Sequence, residues 1–117
     1  MSDASEPHPD RTGIKAMWLF AMFDLPVATK AQRGRATQFR KHLLRTGFCM
    51  LQFSVYARHC PTEASADVYR GIVVQALPDE GHVRLLSITD RQFGKMRSYC
   101  GKLVQPTESP PPQLMLF

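Results

Sequence analysis

The sequence predicts one α+β domain whose elements follow in the order β-α-β-β-α-β. Three observations carry this. Continuous or β-branched apolar runs alternate with stretches that have the 3.6-residue spacing of a helix. Pro26, Pro61 and Pro78 each fall between apolar segments, where proline ends an element without breaking one. The other six of the nine prolines (Pro7, Pro9, Pro106, Pro110, Pro111 and Pro112) lie towards the ends. They bound a folded body at residues 17–104, flanked by an N-terminal extension, 1–16, and a Pro-rich tail, 105–117.

Met17 to Phe23 reads MWLFAMF and is ended by Asp24 and Pro26. So short a continuous apolar run suits a central strand covered on both faces. Thr29 can cap the helix that follows. From Ala31 to Arg45, Ala36, Phe39 and Leu43 fall at i, i+3 and i+7 and should face the core, with Gly47 as the stop. FCMLQFSVYARHC, residues 48–60, reads either as two short strands or as one bulged strand, with its turn at Gln52 to Ser54. Thr62 opens a second helix running to Leu77, and Glu63 and Asp67 favour its dipole. Val68, Ile72 and Leu77 are expected to face the sheet, with Val73 or Ala76 beside them. His82 to Thr89, HVRLLSIT, is the last clear strand, and Arg91 to Lys102 is a short helix or an edge strand.

This order is the split βαβ, or ferredoxin-like, arrangement: a four-stranded antiparallel sheet with both helices on one face. MWLFAMF is apolar on both faces, and two helices cover only one. A second subunit is the expected cover for the other, which makes the protein a homodimer with a two-fold axis.

Composition narrows the function. Fifteen Lys and Arg against ten Asp and Glu give a formal charge of +5, which favours a polyanionic partner. No apolar run reaches the roughly 18 residues of a membrane span, and MSDASEPHPD has no apolar signal region. Three cysteines with no CxxC pair argue against a disulfide framework and for a reducing compartment, the cytoplasm.

The charges are unevenly spread. Between Leu25 and Pro61 there is no acid, yet Lys30, Arg33, Arg35, Arg40, Lys41, Arg45 and Arg58 all lie there. Lys30, Arg33, Thr37, Arg40 and Lys41 share a helix face away from the core. Helix charges usually come as mixed-sign pairs, so an acid-free face suits a phosphate backbone. A solvated basic face is the plain alternative.

Asp24 is the single acid between Asp10 and Glu63, at the carboxyl end of the first strand. Two readings stand. It is a turn residue of D-L-P that satisfies backbone N–H groups, or it is a metal ligand. Magnesium takes one or two carboxylates plus water and phosphate oxygens, and a two-fold axis can bring two copies of Asp24 together. An ion there neutralises phosphate charge and activates water against a phosphodiester. Ser54 and Tyr56, with Arg58 two residues on, are further candidates to contact phosphate or orient a water, although Tyr56 also fits a core aromatic. Cys49, His59 and Cys60 match no usual zinc spacing. His42 and His82 read as surface residues, and Asp90 as a helix or turn cap. Phosphate-loop, dinucleotide-binding and Ser-His-Asp patterns are absent.

In combination, MWLFAMFDLP, a basic helix, GFCMLQFSVYAR and GHVRLLSITDRQFGKM closely resemble the small CRISPR-associated endonuclease family. This is the adaptation subunit "Cas-two", in the version found with type II systems, and the resemblance covers about Met17 to Lys102. It implies a ferredoxin-like homodimer with magnesium-dependent cleavage of single-stranded RNA or double-stranded DNA. It also implies a scaffold for spacer acquisition, with the integrase "Cas-one" on either side and a DNA duplex across the dimer. By the same resemblance Asp24 is the metal ligand, Ser54, Val55 and Tyr56 are the Ser-Val-aromatic stretch, and residues 91–104 add a strand to the partner subunit's sheet. Asp24, Ser54 and Tyr56 are therefore the expected catalytic residues. Lys30, Arg33, Arg40, Lys41 and Arg58 are the expected nucleic-acid contacts. A non-catalytic nucleic-acid scaffold and a toxin-type endoribonuclease of the same fold are the alternatives.

Overall fold

The computed structural model describes residues 15–110. Most of the N-terminal extension, 1–14, and the end of the tail, 111–117, lie outside the described residues. The elements are β1 (Met17–Asp24), α1 (Lys30–Arg45), β2 (Cys49–Gln52), β3 (Val55–Cys60), α2 (Glu63–Gln75), β4 (His82–Thr89), α3 (Asp90–Gly94), β5 (Ser98–Cys100) and β6 (Leu103–Gln105). The first four strands form an antiparallel sheet in the order β2-β3-β1-β4. That is the expected ferredoxin-like α+β arrangement. Residues 91–102 contain both a short helix and a strand, and β5 pairs with β6 as a separate hairpin.

Both long helices begin with reciprocal side-chain caps, which satisfy N–H groups that have no partner inside a helix. The Thr29 hydroxyl accepts from the Gln32 N–H at 3.1 Å, and Gln32 Oε1 accepts from the Thr29 N–H at 3.0 Å. Thr62 and Ser65 repeat the pattern. Along α1, Ala36, Phe39 and Leu43 are buried as their spacing requires. The helix stops at Gly47, whose φ is +92°. That positive φ favours glycine, and a Cβ there would also displace the Arg58 guanidinium, 1.8 Å away.

The rotation of α2 differs from expectation. Ala66 and Val73 are its buried residues and Tyr69 packs beside them, whereas Val68 and Leu77 are exposed. Apolar residues lie almost all round this helix, so their spacing alone does not select a face. Small Ala66 faces inwards, where close approach to the sheet is possible.

Successive β1 side chains point to opposite faces. Met17, Leu19, Ala21 and Phe23 join the core beneath α1 and α2, while Trp18 and Phe20 join a second cluster on the other face. The cover of this second face differs in part from the expectation that a second subunit supplies it. Phe93 of α3, 1% exposed, stacks on Trp18 with ring centroids 3.9 Å apart and planes 10° from parallel. The chain thus buries Trp18 and Phe20 by itself. Nearer the Asp24 end, the face stays open at a groove of about 630 Å³ that includes Phe20, Leu51, Val55, Met96, Tyr99 and Pro106. Leu86, on the same face, is 50% exposed.

The region 48–60 holds both features of its sequence pattern. It is two strands, and the register shifts between Met50 and Gln52. Phe53 and Ser54 make the turn, within the expected stretch.

Candidate functional site at the carboxyl end of the central strand

Asp24 ends β1 and is exposed. Its place in the β1 alternation puts it on the second face, below Met22. In the β1–β4 ladder it is paired with His82, and Met22 is paired with Arg84. Directly opposed residues share a face, so Asp24, His82 and Arg84 stand on the same face at the open end of the sheet. His82 was missed in the sequence because only strand register brings it to Asp24. The chain is held tightly here: a Cβ on Gly81, whose φ is +92°, would lie 2.7 Å from the Asp24 carbonyl oxygen.

Ser54 belongs to the same end. Its carbonyl accepts from the Phe23 N–H at 3.1 Å, which ties the β2–β3 turn to β1 one residue before Asp24. The loop after Asp24 leads directly into α1, so Lys30 and Arg33 stand on this flank. Arg33 donates to the carbonyls of Val27 at 3.1 Å and Ala28 at 3.2 Å, which holds the loop. Arg40 and Lys41 continue the basic stripe along α1. At about 1.5 Å of rise per residue they lie some 15 Å from Lys30.

Two expected site residues stand elsewhere. Tyr56 is 3% exposed inside the core, 5.5 Å from the Phe23 ring. The Arg58 guanidinium lies 3.8 Å over the Tyr69 ring, in the crevice where the end of α1 meets α2. The basic helix is also not wholly uncompensated, which corrects the sequence expectation. Arg35 pairs with Glu80 at 2.7 Å, because the turn before β4 delivers that acid to α1.

Cys49 and Cys60 are not drawn into a metal centre with His59. Burial pushes both thiols up, with the Glu108 charge adding to the effect at Cys49. Among the described residues there is no group of three His, Cys, Asp or Glu side chains able to hold a metal ion. No described helix is long and apolar enough to cross a membrane.

The topology and this sheet end define a class: a ferredoxin-like protein with an exposed carboxylate closing its central strand and a basic helix beside it. More narrowly, residues 17–96 match the family model for CRISPR associated protein Cas2, and the chain belongs to that family. It is 48% identical over 101 residues to the CRISPR-associated endoribonuclease Cas2 of Parvibaculum lavamentivorans, covering 86% of this chain and 100% of that one. With the protein of the same name from Paracidovorax avenae it shares 47% identity over 106 residues, 91% of this chain and 98% of the other. The Flavobacterium psychrophilum protein, again of that name, is 41% identical over 103 residues, 88% of this chain and 90% of its own.

Proposed function

We propose that the chain is a CRISPR adaptation nuclease that acts as a homodimer and cleaves phosphodiesters at Asp24. The observation that carries this reading is the position of Asp24. It ends the central strand on the open part of the second sheet face, abreast of His82. Two copies packed through that face would bring two such carboxylates to one axis, and the β5–β6 hairpin would extend the partner subunit's sheet.

The donor set fits magnesium in this form: one exposed carboxylate per copy, within the one or two that the ion takes beside phosphate oxygens. Asp24 would hold it, and the ion would neutralise phosphate charge and make a bound water more acidic. His82 is placed to give or accept a proton at the scissile phosphate. Lys30 and Arg33 hold the neighbouring phosphates, and Arg40 and Lys41 extend the track along α1. The names of the relatives support RNA as a substrate. The length of the basic stripe supports a duplex lying across the dimer, where the CRISPR-associated integrase would find it during spacer acquisition.

A non-catalytic scaffold is the second reading. It is favoured by the basic stripe of Lys30, Arg33, Arg40 and Lys41 along α1, which can hold a phosphate backbone with no part for Asp24. One pair of variants separates the two. Asp24→Asn should abolish magnesium-dependent cleavage while leaving the dimer and duplex binding intact. Reversing Arg33, Arg40 and Lys41 to Glu should abolish duplex binding and flatten its salt dependence. Cleavage that survives Asp24→Asn overturns the catalytic reading, and duplex binding that survives the charge reversal overturns the phosphate track.

A further inference from the structure

We propose that Phe53 is a stacking platform for an unpaired nucleobase of the strand presented to Asp24. The inference rests on the reading of Asp24 given above and adds a residue that holds the substrate there.

Phe53 is 81% exposed, more than any other large apolar side chain among the described residues. The fold therefore covers little of this ring. The turn that carries it is strained. Gln52 pairs with Val55, so Phe53 and Ser54 alone reverse the chain, and Ser54 takes φ +65°. It is the one non-glycine residue with positive φ among the described residues. Glycine or asparagine is the ordinary choice there, and strain of this kind persists where function uses the geometry.

The turn is also in the right place. Its Ser54 carbonyl is bonded to the Phe23 N–H. Phe23 immediately precedes Asp24, so the turn stands at the Asp24 end of β1. Lys30 and Arg33 flank the same end and supply the charge that tracks a phosphate backbone.

Bases within a duplex are stacked on their neighbours and offer no free face, whereas an unpaired base stacks on an aromatic ring whatever its identity. RNA and DNA single strands share this chemistry, as does the frayed end of a duplex. A duplex resting on the α1 stripe is unaffected.

The test uses the full chain carrying Asp24→Asn, so that binding is read without cleavage. Labelled single-stranded RNA, single-stranded DNA of the same sequence and a blunt duplex are titrated into this protein, with and without Phe53→Ala. The expected result is about a tenfold loss of single-strand affinity with duplex affinity unchanged. Phe53→Trp should retain affinity, and its fluorescence should be quenched by the oligonucleotide. A loss for RNA alone or for both single strands identifies the source and supports the proposal. An equal loss for duplex and single strands overturns it, as does no loss at all. A shift from dimer to monomer in Phe53→Ala with no selective effect overturns it too, and makes a second copy of the chain the ring's partner. Because binding is measured on the Asp24→Asn protein, failure of the cleavage reading leaves this outcome legible.

Discussion

Trp18 Nε1 donates to Asp90 Oδ1 at 2.7 Å, joining residues 72 apart in the sequence. The bond fastens α3 to the start of the central strand, and the Asp90 N–H strengthens it by donating to the Ala16 carbonyl at 2.9 Å. Asp90→Ala leaves a buried indole N–H without its charged acceptor. The expected cost is about 1–2 kcal/mol, read by urea denaturation, together with faster amide exchange in α3. Asp90→Asn should recover part of the loss.

Phe93 is the main apolar anchor of that helix. Phe93→Ala removes the ring stacked on Trp18 and should cost about 3–4 kcal/mol. It also exposes Trp18 and Phe20, so the variant should show red-shifted tryptophan emission and bind a hydrophobic dye. Unchanged emission would mean that something other than Phe93 shields Trp18.

His59 makes stability depend on pH. Burial pushes its imidazole below the usual value, the Asp90 carboxylate pulls the other way and Arg58 pushes down again. Its Nδ1 is buried without a hydrogen-bond partner. A histidine that is harder to protonate when folded favours the native state fully above the unfolded-chain value, about 6.5, and loses that contribution as pH falls towards the folded value. Melting temperature should therefore fall from about pH 7 downwards, ahead of carboxylate titration. His59→Phe should flatten that part of the curve.

Two glycines should respond oppositely to alanine. At Gly81 the positive φ and the 2.7 Å approach to the Asp24 carbonyl forbid a side chain, so Gly81→Ala should cost about 1–3 kcal/mol. It should also lower cleavage by moving Asp24. Gly34 lies in α1 with nothing within 4 Å of a Cβ, so Gly34→Ala should gain about 0.5–1 kcal/mol. Thermal melts of both variants, with a cleavage assay of Gly81→Ala, check the pair.

Local rules made much of this fold legible. Thr29 and Thr62 announced their helices, and Ala36, Phe39 and Leu43 announced a buried stripe, because capping and 3.6-residue spacing act over a few neighbours. Features set by distant pairing stayed hidden. Val68 and Val73 are equally apolar, and the sheet alone decides which turns inwards. Asp24 stood out in the sequence as a lone acid, but His82 had no sign until register placed it alongside. Glu80 looked remote from the basic helix, yet the turn before β4 delivers it to Arg35. Phe93 sits in a segment that read equally as a short helix or an edge strand, and its stacking on Trp18 depends on a tertiary contact that spacing does not reveal.

The strand order has a consequence for biosynthesis. The element at the centre of the sheet is made first, and its two neighbours, β3 and β4, come from much later in the chain. As the polypeptide leaves the ribosome amino end first, β1 can dock on β3 once residue 60 has emerged, but its other edge waits for residue 89. Throughout that interval MWLFAMF offers an unpaired edge and a row of large apolar side chains, the combination that recruits other strands and nascent-chain chaperones. Heavy translation of this gene should therefore load the folding machinery early in each round of synthesis, and the risk closes only when the last strand of the sheet is complete.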